Sequence, residues 1–144
     1  MDANEVIEAL ELIAHPEGGW FRETWRDDVV DANGRSLGTS IYYMLVAQQH
    51  DRWHRVDCDE MWHHYAGAPL ELWIAADETS EPVLHLLGTD FAAGQRPQVM
   101  VPRGVWRSSV SAGEWSLMSC TDTPGFEPSG WEMAPEDWVP GTSQ

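Results

Sequence analysis

From residue 19 onward the chain breaks into ten short runs rich in aromatic and β-branched residues, separated by Gly, Pro, Asp and other turn residues. The runs cover 19–26, 39–46, 52–56, 60–65, 70–75, 83–87, 98–101, 106–111, 115–120 and 126–133. Each is too short for a helix, and several alternate with the period of two that a half-buried strand requires. Their regular spacing predicts an all-β sandwich or barrel. Runs 52–56 and 60–65 flank Asp57-Cys58-Asp59 and read as a hairpin. Ahead of the strands, Val6, Leu10 and Ile13 recur at helical spacing, with Ile7 and Ala14 widening the stripe. Asp2 followed by Glu5 forms a capping-box pattern, and Pro16 ends the element, so residues 1–16 are expected to hold one helix. No internal repeat or linker divides the 144 residues, which fit a single domain. Residues 134–144 are acidic and Pro-rich and are expected to be a loosely ordered tail.

Charge narrows the function. The chain carries 24 Asp and Glu against eight cations, all of them Arg, for a formal net charge of −16. Such a surface is repelled by nucleic acid and by anionic lipid headgroups. Nine Trp and the hydrophobic content exclude a disordered acidic tail. The longest apolar run, 41–47, is far short of the ~20 residues of a membrane span. The acidic start lacks the positive region of a signal peptide, and two cysteines make no disulfide framework; a cytoplasmic location is expected. Three acids per base also point to adaptation to high salt, which screens the self-repulsion.

The densest chemistry lies in residues 52–67, which hold three of the six His beside Glu60 and two Arg. Strand alternation places Glu60, Trp62 and His64 on one face, and Met61, His63 and Tyr65 on the other. Arg52, His54 and Val56 share a face of the preceding run. If His54 and Glu60 face inward, His64 joins them and His63 points away.

Two motifs here resemble those of cupins. Glu60 followed at the right distance by Gly67 matches the second half of the first cupin motif. Residues 102–107, Pro-Arg-Gly-Val-Trp-Arg, match the core of the second, with Arg107 where a His is expected. The longer strings at 15–24, 39–43, 53–55 and 62–67 are similar to a family of small, functionally uncharacterised cupins related to sugar-nucleotide epimerases. The resemblance implies a double-stranded β-helix, the cupin jelly-roll barrel, with a short N-terminal helix, a pocket inside the barrel and a homodimer. It also implies a metal held by three His and one Glu. Here Arg52 and Arg107 stand at two of the His positions, and a guanidinium repels a metal.

Three readings follow. Arg52 and Arg107 can hold a small anionic or sugar-like metabolite, because a planar guanidinium suits carboxylate and phosphate. His54 and Glu60 then form an acid/base pair for an isomerase or epimerase, with His64 and Tyr42 completing the pocket and Trp62 and Trp106 as its aromatic wall. Tyr43 is the alternative acid. A second reading is an enzyme with a divalent metal on His54, Glu60 and His64. A third is a non-catalytic binding or structural dimer. His15, His50, His63 and His85 read as structural or solvent-facing.

Overall fold

The computed structural model describes residues 1–141. Its helix α1 (Ala3–Leu10) starts at the expected capping box: Asp2 Oδ1 accepts from the Glu5 amide at 2.9 Å, and the Asp2 amide donates to Glu5 Oε2 at 2.8 Å. The helix is shorter than the sequence pattern implies. Glu11 takes a left-handed conformation (φ 55°) and caps the helix, so Ile13 leaves the stripe. Ile13–Ala14 instead forms a two-residue strand, β1, paired with β2 (Trp20–Arg26).

The remaining strands are β3 (Thr39–Val46), β4 (His54–Val56), β5 (Asp59–Gly67), β6 (Leu70–Ala75), β7 (Val83–Leu87), β8 (Gln98–Val101), β9 (Trp106–Ser111), β10 (Trp115–Thr123) and β11 (Trp131–Met133). They form two antiparallel sheets, one in the order β1-β2-β3-β10-β5-β8 and the other β11-β4-β9-β6-β7. The architecture is the all-β jelly roll. Run 126–133 is a strand only at its end, because Pro128–Gly130 makes one 3₁₀ turn first. No helix among the described residues is long and apolar enough to cross a membrane.

The expected hairpin of runs 52–56 and 60–65 does not form. Strand β4 pairs with β11 and β9, whereas β5 pairs with β10 and β8 in the opposite sheet. Asp57 and Cys58 therefore carry the chain from one sheet to the other. That corner is held by the Arg35 guanidinium on both Asp57 oxygens (2.7 and 2.9 Å), and Cys58 is fully buried.

Between the sheets lie Tyr43, Leu45, Trp62, Leu70, Leu72, Leu87, Val101, Met118 and Cys120. On the outer face of the first sheet, Met44 and Leu117 pack against Val6 and Leu12 of the helical segment. Strand β3 thus has both faces covered, which is why its sequence reads as a continuous apolar run rather than an alternation. The tail also packs as far as it is described. Ala134 and Pro140 are buried, and Trp138 stacks near Trp106 with ring centres 4.6 Å apart. The remainder of the expected loose tail, 142–144, lies outside the described residues.

Candidate functional site

A cavity of about 260 Å³ lies between the two sheets. Phe21, Ile41, Trp62, Phe126 and Trp131 form apolar walls, and His15, Glu17, Tyr43, His54, Glu60 and Asp122 bring polar groups to it. Apolar walls with a few convergent polar groups are the usual make-up of a small-molecule site.

Glu17 reaches the cavity from the strap between β1 and β2. Gly18 and Gly19 hold φ of 107° and 81°, a conformation that side chains resist. At Gly19 a Cβ would meet Leu45 Cδ2 and the Met44 carbonyl, each at 2.9 Å. Gly19 therefore lets the strap press onto β3 and Gly18 lets it press onto the His50 carbonyl, while the Glu17 carbonyl accepts from the Arg52 amide at 2.8 Å. Glu17 Oε2 then lies 3.2 Å from His54 Nε2 and accepts from Trp131 Nε1 at 3.2 Å.

The tautomer of His54 follows from its other nitrogen. Nδ1 lies 2.7 Å from the Arg52 carbonyl oxygen, which can only accept, so Nδ1 carries the hydrogen and Nε2 presents a lone pair to Glu17. Burial, reinforced by the Arg107 charge, holds the imidazole neutral, with its pKa down to about 3. Burial likewise takes His15 down to about 4. Glu17 moves the opposite way, raised well above the usual carboxylate range by burial and then by the charges of Asp51 and Glu60. Two acceptors 3.2 Å apart need a hydrogen between them, and a protonated Glu17 supplies it.

The second cluster centres on Glu60. Its Oε1 accepts from Arg107 Nη1 at 3.0 Å and from Trp62 Nε1 at 2.7 Å. Burial alone would raise this carboxyl, but the hydrogen bond with Asp122, the Arg107 charge, His54 and the Trp62 donor together hold it low. Asp122 takes the proton instead. Burial and the Glu60 charge push it to about 10.

Asp51 adjoins the first cluster, with a carboxylate oxygen within 4.8 Å of ligand atoms of Glu17 and His54. It is buried against β9, where Ser109 gives it both its amide and, at 2.8 Å, its hydroxyl; Tyr43 lies 3.2 Å away. Burial raises it to about 7 against those donors.

Of the residues expected to carry function, His54, Glu60 and Trp62 meet at the cavity and the others do not line it. Arg52 donates through Nη2 to the Ala134 carbonyl at 2.5 Å. Arg107 is 0% exposed behind Glu60. His64 lies further along the Glu60 face, where Nε2–H donates to the Ala68 carbonyl at 3.0 Å. Tyr42 points to the outer face beside Tyr65, and Tyr43 is the tyrosine that lines the cavity. Trp106 packs on Trp138 with the Arg55 guanidinium 4.6 Å above its ring. His63 points away as expected, toward Gln98. Glu17 and Asp122 reach the cavity with no role expected of them, and His15, expected to be structural or solvent-facing, lines it as well. Glu17 and His15 lie inside the 15–24 string, where a Glu held between Pro16 and two glycines was the available signal.

The motif positions do not fit a bound metal. At the motif positions, a guanidinium already holds Glu60, and Arg52 offers no ligand atom. Glu17, Asp51 and His54 do bring one ligand atom each within 4.8 Å of one another. The hydrogen bonds from Ser109 and Tyr43 fix Asp51 and leave it a lone pair, so these three residues would hold an ion only if Glu17 gave up its proton.

The family described as Cupin superfamily (DUF985) matches residues 4–134. Protein SO0799 from Shewanella oneidensis superposes with a TM-score of 0.88 at 35% identity, over 93% of this chain and 85% of its own. A hypothetical protein from Leishmania major gives 0.84 at 28%, over 93% and 88%. Oxalate decarboxylase from Bacillus subtilis shares the fold alone, with a TM-score of 0.62 at 15% identity, over 83% of this chain and 29% of the other. No curated protein matches the sequence.

Proposed function

This chain belongs to the DUF985 family of the cupin superfamily, and from that premise we propose that its barrel binds a small, neutral, sugar-like ring and moves a proton on it, as an isomerase or epimerase does. The contact between Glu17 and His54 carries the proposal. A protonated carboxyl facing a neutral imidazole at 3.2 Å is a hydrogen-bonded pair whose proton rests on Glu17, because burial raises Glu17 and lowers His54. Moving it to His54 costs free energy that ligand binding has to supply. When His54 Nε2 takes the Glu17 proton, the carboxylate left in the cavity can remove a proton from a carbon next to a carbonyl. A different proton, given to the other face by a second acid such as the Tyr43 hydroxyl at the cavity, inverts the centre, and proton exchange of both groups with solvent resets them. Trp62, Phe21 and Trp131 supply flat surfaces for a ring.

A neutral ligand is favoured over the anion expected from the Arg content. Arg26 is the one Arg lining the cavity among the described residues, and it is engaged with Glu23 at 2.8 Å. Arg107 is bound to Glu60. An anion would meet carboxyl groups with no unpaired cation.

The test is deuterium wash-in from solvent into a panel of neutral ketoses and keto-sugars, followed by NMR. Exchange that Glu17→Gln removes supports the reading. Absence of exchange across the panel, with the ligands shown to bind, assigns the barrel to binding alone.

A further inference from the structure

A cation is buried beside the cavity, behind Glu60. Arg107 on β9 stands directly opposite His54 on β4, and its Nη1 reaches across to Glu60 on the other sheet at 3.0 Å. Nη2 donates to the Pro102 and Val105 carbonyls, each at 3.3 Å, and these fix the guanidinium plane. Nε finds no partner although the side chain is fully buried. Burying a charge without water is tolerated only when a counter-charge meets it, and Glu60 is that counter-charge. The guanidinium thus touches one of the two residues that the motif pattern offers to a metal and faces the other across the strand pair.

We infer that the Arg107 guanidinium is a built-in replacement for a divalent cation, holding Glu60 and facing His54 from where an ion would stand. Two consequences follow from charge and reach. A divalent ion brought to Glu60 meets a fixed positive charge on the same carboxylate, so the wild-type site rejects it. An imidazole in place of Arg107 removes that charge, and its Cα stays directly across from that of His54, within about 5.5 Å as in any antiparallel pair. With Glu60 it completes three ligands, the number an open metal centre needs. The inference stands whether or not the barrel turns over a sugar.

The experiment is a Co²⁺ titration of untagged protein, followed by visible absorption and by thermal melts. Wild type is expected to show no ligand-field band and no change in Tm that depends on Glu60. Arg107→His is expected to bind one Co²⁺ per chain and to gain roughly 8 °C in Tm at a hundredfold excess over Kd. Adding His54→Gln or Glu60→Gln to Arg107→His should abolish both signals, and Arg107→Gln should show neither. Wild-type uptake of one Co²⁺ per chain that Glu60→Gln removes would overturn the inference. So would an Arg107→His chain that ignores the ion, or one that fails to fold even in its presence. An equal response from Arg107→Gln would also overturn it, because no imidazole is then needed. None of these readouts depends on substrate, so they separate this inference from the isomerase reading.

Discussion

Asp122 and Glu60 stand directly opposite one another on β10 and β5, and the two buried carboxyls share one proton. Arg107 touches Glu60, so the negative charge settles there and the proton stays on Asp122. The cavity therefore contains a carboxylic acid that remains neutral at physiological pH.

This arrangement makes stability fall as pH rises. The folded-state pKa of Asp122, about 10, lies above its ordinary 3.8, so its contribution is complete below about 4 and is lost as pH climbs toward 10. Glu17 acts in the same direction. His15 and His54, lowered to about 4 and about 3, act oppositely: their contribution is present above 6.5 and lost as pH falls. Between pH 7 and 8.5 the carboxyls dominate, and urea unfolding should show stability falling by about 1.4 kcal/mol per pH unit for each retained proton. Asp122→Asn should flatten that slope. Equal slopes in variant and wild type would refute the assignment of the proton.

Breaking the Arg107–Glu60 pair should be expensive. Either Arg107→Met or Glu60→Gln leaves a buried group without its partner and is expected to cost about 3–5 kcal/mol in urea unfolding. The double variant should cost clearly less than the sum of the two. Additive costs would show that the residues do not act as a pair.

Glu17→Gln keeps an acceptor for Trp131 Nε1 but cannot surrender a proton. Its rate of solvent exchange into a bound ketose should drop by roughly 10²–10⁴-fold. Ligand affinity should change far less, so the effect falls on kcat. A loss confined to KM would assign Glu17 to binding only.

The strap that carries Glu17 depends on Gly19. Gly19→Ala forces a side chain into a positive φ and onto Leu45 and the Met44 carbonyl, and should cost about 2 kcal/mol or more. Gly34 has a similar φ of 82° but open space around it, so Gly34→Ala should cost only about 1 kcal/mol. Thermal melts of the two variants separate backbone strain from close approach.

The acidic surface predicts a response to salt. Six of the eight Arg are already ion-paired, so most of the 24 acids have no cation beside them. Raising KCl from 0.1 to 1 M shortens the Debye length from about 10 to about 3 Å and weakens their mutual repulsion. Tm should rise across that range. An unchanged Tm would leave the net charge without a role in salt adaptation.

Strand runs, the Asp2–Glu5 cap and the alternation that turns Glu60 and Trp62 together are local properties, written in residues a few positions apart. They determined the all-β class, the family strings and which residues share a face with Glu60. Choosing Tyr43 over Tyr42 lay beyond them, because β3 is apolar on both faces and alternation there marks no inside. Which sheet receives β4 was equally hidden, since a strand's partner depends on edges supplied by distant chain segments. Only the tertiary structure brought Glu17, Asp122 and Arg107 to the motif residues. It thereby decided the chemistry, because protonation in the cavity is set by burial and by neighbours that the sequence keeps far apart. A guanidinium read from the motif as an anion clamp became, once packed against Glu60, the barrel's own internal cation.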